Sequence, residues 1–427
     1  QTYFPAQKQV HADAMLAKLF TVTYAPTFKV LTDSLSKEQY VLTQCGQVQP
    51  SAAAVNAVEV LKAGYIRKHF GVPVQSSAAM STTLLAFIDS LGVQDRVKFV
   101  DSYATAPCWQ KALACGAETA LYAHQLAGVD VVFMSCGTDG DCTNVNTQKN
   151  GVHVPSTQEA GPVESAEYIK YIAAFFNLEP KANQLFAATQ TSYAQASSGK
   201  SATPPLVAWI NFTPKSAWSA ESFVVSQASY KTRMVTDVGA TNFNASTALA
   251  GIAGLQVKDA VTFKPASGKT YTIPTNDDKA AAAEAFFKAF EGVDVIVDEV
   301  SAPDPTMYDF ASFLSTYGLT KSSDLKFVKN KMVLRIDLTM GEATKSLDWY
   351  ESRIAKPEGA VEGLARVVNE DGSKRDKYFR NIAKGEGVDQ VLSAAGCKKA
   401  LPVCSALIDP VPIKTLGEVA GAEVAGA

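Results

Sequence analysis

The chain has 427 residues, too many for one ordinary hydrophobic core, which points to two domains or lobes. A hydrophobic fraction of 47% with 19% charged residues is that of a soluble globular protein. The formal net charge of −3 offers no footprint for a nucleic acid or an anionic membrane, and no run approaches the roughly 20 apolar residues a membrane span needs.

In chain order, residues 38–45 read as a strand and Val55–His69 as an amphipathic helix ended by Gly71. Val72–Gln75 reads as a short strand running into a small polar loop, Ser76–Thr83, and Leu84–Leu91 as a helix closed by Gly92. Val97–Val100 is a strand, and Gly128–Met134 is one apolar enough to be buried. Ile169, Ile172, Ala173 and Phe176 recur at helical spacing. A further helix begins at Pro180, a residue suited to a first turn, and runs into the breaker Ser197-Ser198-Gly199-Lys200. The pattern restarts at Pro205–Ile210 and continues through Arg233–Val238, a helix at Ala280–Phe290, a strand at Val293–Val297, Lys331–Ile336 and a helix from Pro357. Gly254–Tyr271 reads as an inserted pair of strands.

This alternation predicts an α/β protein of two Rossmann-like lobes, 1–178 and 203–370, with a ligand cleft between them. A single linking α-helix lies within 179–202. The C-terminal extension, 371–427, either packs on the lobes or leads to a removed membrane anchor.

The seven cysteines suggest an oxidising compartment. Three pairs lie close in sequence, Cys108/Cys115, Cys136/Cys142 and Cys397/Cys404, and each could close a short loop, leaving Cys45 over; sequence does not fix the connectivity. Zinc is a weaker explanation, because no C-x2-C pair occurs and the four histidines are scattered. The sequons at Asn211 and Asn244 would permit glycosylation, with Pro214 weakening the first. The chain starts at Gln1 without a signal-like run, as a processed secretory protein or a trimmed chain would. A secreted or cell-surface glycoprotein, extracellular or on the outer face of the plasma membrane, is the expectation.

Ligands of open α/β sheets bind where the strand C-terminal ends gather their loops. Those loops hold Met80, Ser81, Thr82, Tyr103, Phe212, Trp218, Phe243, Met340, Asp348 and Trp349. Aromatic and methionine side chains placed in loops point to a cleft for a large, partly apolar ligand. In Leu347-Asp348-Trp349-Tyr350-Glu351 a carboxylate stands beside an indole at a strand-to-helix turn. It reads either as a recognition edge, with Asp348 accepting hydrogen bonds and Trp349 offering a flat face, or as a simple helix cap.

Several segments, in their order along the chain, resemble the class III periplasmic substrate-binding proteins of ABC importers, which bind vitamin B12, haem or iron–siderophore complexes. They are Val72-Pro73-Val74 to Met80-Ser81-Thr82, Leu91-Gly92-Val93-Gln94-Asp95-Arg96-Val97, Ser102-Tyr103 with Pro107, Val207–Phe212, and Asp348-Trp349-Tyr350-Glu351. The resemblance covers roughly 72–370. The N-terminal 70 residues, the insertion near 254–272 and the cysteine-bearing tail depart from it and are similar to eukaryotic cobalamin-acquisition proteins of microalgae. It implies a non-enzymatic, monomeric binding protein that needs no cofactor and carries cobalamin as its transported ligand towards a membrane receptor or transporter. It also implies that Asp348 meets a polar edge of the corrinoid, with Met80, Tyr103, Phe212 and Trp349 against its faces. No histidine lies in a candidate loop, so no protein ligand to cobalt is expected. Those loops carry only Lys215 and Lys345, which favours a near-neutral ligand over a negatively charged iron–siderophore chelate. The competing class is a metal-dependent enzyme using Asp298 and Glu299 at a strand end, and a simple buried strand with a polar edge explains that pair as well. A thiol dyad of Cys108 or Cys136 with His124 is less economical than disulfides.

Overall fold

The computed structural model describes residues 4, 15–115, 126–135, 149–198, 203–259, 268–276, 278–369 and 376–399. The N-terminal part carries two four-stranded sheets. The first runs in the order β1 (Phe20–Tyr24), β2 (Phe28–Asp33), β3 (Glu38–Gln44) and β4 (Ile66–Val72), antiparallel except for the parallel β3–β4 pair. The second is fully parallel: β5 (Ser77–Ala79), β6 (Val97–Val100), β7 (Val131–Met134) and β8 (Gly151–His153), in the order β6-β5-β7-β8. Val131, Val132 and Phe133 are all fully buried, as a strand covered on both faces requires.

The amphipathic helix expected over Val55–His69 is not formed. Only Ala52–Asn56 is helical, Gly64 breaks the run at φ +78°, and Ile66–Val72 is strand β4. Pairing with β3 selected the two-residue alternation of Lys68, Phe70 and Val72, which are buried while their neighbours are not. The loop expected over Ser76–Thr83 likewise contains a central strand, because Ser77, Ala78 and Ala79 are small enough to be fully buried there.

The C-terminal part holds an eight-stranded sheet of β9 (Leu206–Thr213), β10 (Ser222–Ala228), β11 (Thr241–Asn242), β12 (Gln256–Asp259), β13 (Gly268–Pro274), β14 (Val295–Asp298), β15 (Val333–Arg335) and β17 (Arg380–Asn381). Strands β9, β14 and β15 are parallel, and β10, β13 and β12 continue the sheet antiparallel. A small pair, β16 (Thr339–Gly341) with β18 (Gln390–Leu392), stands apart. The inserted strands read from sequence are β12 and β13.

The helix Glu179–Ala196 crosses between the two parts, with Pro180 in its first turn. Its 18 residues span roughly 27 Å. Ala182 and Phe186, in its first half, join the N-terminal core, and Tyr193 and Ala196, at its end, join the C-terminal one. The helix Asp348–Ala355 is shared in the same way: Trp349 lies in the C-terminal core, whereas Ile354 and Ala355 pack into the N-terminal core. No helix among the described residues is long and apolar enough to cross a membrane.

The disulfide expectation needs correction. Cys108 is bonded to Cys397, 289 positions away, so neither Cys108/Cys115 nor Cys397/Cys404 forms as expected. Cys115 is itself disulfide-bonded and Cys45 is free and exposed. Cys136, Cys142, Cys404 and His124 lie outside the described residues.

Candidate functional site

Strands β5 and β6 of the N-terminal part, and β14 and β15 of the C-terminal part, are followed by residues that line one cleft region. A cavity of about 420 Å³ is walled by Thr82 and Tyr103 on one side. On the other are Glu299–Pro303, Pro305, Arg335 and Ile336, Thr344–Leu347, and Tyr350. This is the C-terminal edge of both parallel sheets, the ordinary place for a ligand in such folds.

Each wall is held from behind. Thr82 opens the helix Thr82–Leu91, which ends in the left-handed Gly92. Tyr103 is 62% exposed and sits in a turn where its own N–H is accepted by Asp101 Oδ1 at 2.8 Å. Facing it, Tyr350 is 48% exposed. The two rings are the large partly apolar groups that the cleft leaves half free.

The charged lining is almost entirely neutralised. Arg335 is buried and bound to Asp298 at 2.8 Å and Asp337 at 2.6 Å, with its guanidinium 4.0 Å from the Tyr308 ring. Asp298 also accepts from the Tyr317 hydroxyl at 2.9 Å and the Val300 N–H at 3.1 Å. Glu299 is paired with Lys231. The Asp298–Glu299 pair is thus spent on ion pairs within the fold rather than presented together for metal or acid–base work.

The residues expected to meet ligand are distributed otherwise than the sequence suggested. Thr82 and Tyr103 line the cleft, and Ser81 is nearly buried, its hydroxyl 2.9 Å from that of Thr83. Met80 packs partly buried beside Ala78 and Val132, and Met340 is fully buried. Phe212 belongs to the C-terminal core, with Lys279 4.1 Å above its ring, and Phe243 stacks on Phe290 at 4.4 Å in the same core. Trp218 is 97% exposed at the tip of a serine-pinned turn and is outside the cavity lining. Asn244 is exposed at a helix start, and Asn211 is half-buried inside strand β9 with its side-chain oxygen buried.

Asp348 and Trp349 fit neither sequence reading. Trp349 is fully buried against Trp209, Tyr378 and Phe379, with ring centroids 5.3–5.8 Å away. Asp348 is not a cap, since Leu347 holds that position. Its carboxylate accepts from the Thr105 hydroxyl at 3.1 Å and from Ser352, and pairs with Lys377 at 2.8 Å. One turn on, Glu351 accepts the N–H groups of Thr105 at 2.6 Å and Ala106 at 3.1 Å. The motif therefore grips the loop that carries Tyr103. Burial, with Asp348 beside it, pushes the Glu351 carboxyl up to about 7, against the opposing hydrogen bonds from Thr105 and Ala106.

Sequence reasoning passed over Tyr350 and over Glu299 as a wall residue, whereas the Thr344–Leu347 turn lies within a loop expected to meet ligand.

No family model and no curated protein matches the chain. Among solved structures it is similar to a periplasmic binding protein from Veillonella parvula at 13% identity, over 70% of this chain and 92% of that one, with a TM-score of 0.46. It is similar to the periplasmic heme binding protein HutB of Vibrio cholerae at 14% identity, over 68% and 97%, with a TM-score of 0.45. A protein of an ABC-type Fe3+-hydroxamate transport system from Saccharomonospora viridis aligns at 15% identity, over 70% and 94%, with a TM-score of 0.43. Likenesses this distant carry no argument about ligand, which rests on the cleft itself.

Proposed function

We propose that this chain is an extracytoplasmic capture protein, not an enzyme, that holds a partly apolar small molecule between lobes of about 1–178 and 203–370 and passes it to an uptake partner in the membrane. Cobalamin is the ligand we favour. The observation that carries the reading is the cleft at the strand C-terminal edges, faced by Tyr103 and Tyr350 and with Glu299 and Arg335 already ion-paired. Such walls suit a near-neutral ligand with a flat or ring-shaped edge. The volume of about 420 Å³ is near the low end of the roughly 300–1,000 Å³ of small-molecule pockets, so a corrinoid would enter by one side and leave much of its rim outside. Lys345, which lines the cleft without an ion pair among the described residues, supports a second reading in which the ligand is haem or a ferric siderophore carrying an anionic group.

The test is to incubate the purified chain with cyanocobalamin, haemin or a ferric hydroxamate, remove free ligand by gel filtration, and record absorbance. Corrinoid absorbance retained in proportion to protein is the expected result. Retention of haemin or the hydroxamate alone moves the assignment to the second reading, and retention of none of the three refutes both.

A further inference from the structure

Several contacts that fasten the Tyr103 side of the cleft to the opposite lobe gather on one short stretch, Thr105–Gln110. Glu351 accepts the N–H groups of Thr105 and Ala106, and Asp348 accepts the Thr105 hydroxyl. The Gln110 amide bridges, donating to the Thr105 carbonyl at 2.6 Å and to the Leu392 carbonyl at 2.6 Å. Leu392 ends β18, the strand that the C-terminal segment adds beside β16. Five residues further on, Cys397 is bonded to Cys108. The Glu342 N–H donates to the Leu392 carbonyl at 2.8 Å, so that carbonyl is held from both lobes. Gly341 in β16 is the point of closest approach: a Cβ there would lie 3.2 Å from the Thr105 Cα.

We propose that residues 386–399 form a strap that, together with Asp348 and Glu351, holds the two lobes at a preset separation, making Glu351, Gln110 and the Cys108–Cys397 bond positioning elements for the Tyr103–Tyr350 cleft. This rests on that cleft being the ligand site. A linking helix alone would leave the lobes one joint about which to rock. The strap adds a second crossing that is covalent, and the helix Asp348–Ala355 adds a third, buried in both cores. Three separated crossings define a fixed relative placement, so ligand enters and leaves through the loops at the mouth and not by hinge closure. Tyr103 is two residues before the gripped Thr105, and Tyr350 is one residue before Glu351, so the same contacts set the spacing of both rings.

The experiment measures lobe separation without ligand, so that its outcome is independent of what the cleft binds. Nitroxide labels are attached through p-acetylphenylalanine at Asp95 and Thr306, exposed positions of the two lobes, leaving every cysteine intact. Double electron–electron resonance is then recorded on the full chain, on Cys108→Ser/Cys397→Ser and on Glu351→Ala. The expected result is one narrow distance in the parent, unchanged by cyanocobalamin, and loss of that single narrow peak in both variants. A label pair at Val48 and Asp95, within the N-terminal lobe, stays narrow throughout if the variants are folded. A broad distribution in the parent, or a narrow one in both folded variants, overturns the proposal. A locked separation in a chain that retains no ligand would instead refute the capture function and leave the strap standing.

Discussion

Replacing Trp349 with alanine should lower stability rather than ligand affinity. The indole is fully buried between Trp209, Tyr378 and Phe379, and the Arg353 guanidinium is 4.7 Å from its ring. Truncating a core tryptophan costs about 3–5 kcal/mol. Its indole N–H has no acceptor among the described residues, so deleting it recovers about 1 kcal/mol of that and leaves a net loss of about 3 kcal/mol. At about 2.1 cal/mol/K per residue, unfolding of the whole chain carries roughly 0.9 kcal/mol/K, which converts the loss to about 3 °C in Tm. If the C-terminal lobe of about 170 residues melts by itself, the same loss gives about 8 °C. Scanning calorimetry separates the two cases, and titration of ligand well below the transition measures affinity. A variant with the parent Tm and weakened binding would refute the core assignment and return Trp349 to the ligand face.

Tyr103→Ala and Tyr350→Ala should do the opposite, weakening retention of the bound ligand by roughly tenfold or more each if they are anchors of the cleft, with Tm within about 1 °C of the parent because both rings are half exposed; unchanged retention in both would remove the tyrosines from the site. Glu351 should make stability fall as pH rises: its folded carboxyl stays protonated up to about 7 while the unfolded chain gives up that proton near the ordinary glutamate value, so between about pH 4.5 and 7 the folded state binds more protons and loses stability as it releases them. The Tm difference between parent and Glu351→Gln should therefore shrink from pH 5 to pH 8, and a difference constant across that range would refute the raised value.

The sequence carried the α/β alternation, the linking helix from Pro180 and the helix-closing Gly92 because each is a local signal: apolar spacing, a proline in a first turn, a glycine at positive φ. It misled where partners decide. Ile66–Val72 became a strand because β3 pairs with it, a contact that no window around residue 66 contains. Cys108 and Cys115 are close in sequence, yet Cys108 meets Cys397 because the C-terminal segment returns to the N-terminal lobe along β18. The aromatic residues of the loops divided for the same reason. Trp349, Phe212 and Phe243 found core partners across elements distant in sequence, whereas Tyr103 and Tyr350 did not.

Asp348-Trp349-Tyr350-Glu351 shows how one turn of helix can serve three surfaces that a sequence displays as a single motif. Successive residues rotate by about 100°, so four of them cover the whole circumference. Trp349 goes into the C-terminal core, Tyr350 faces the cleft, and Asp348 and Glu351, three positions apart and hence on one side, reach the opposite lobe. A buried carboxylate is costly unless hydrogen-bonded, and both here are satisfied across the interface by Thr105 and Ala106. Moving the lobes apart would break the hydrogen bonds that Thr105 and Ala106 give to both carboxylates, while Asp348 keeps Ser352 and Lys377. The loss of those bonds opposes opening, and it is set by the residues that first suggested a ligand contact.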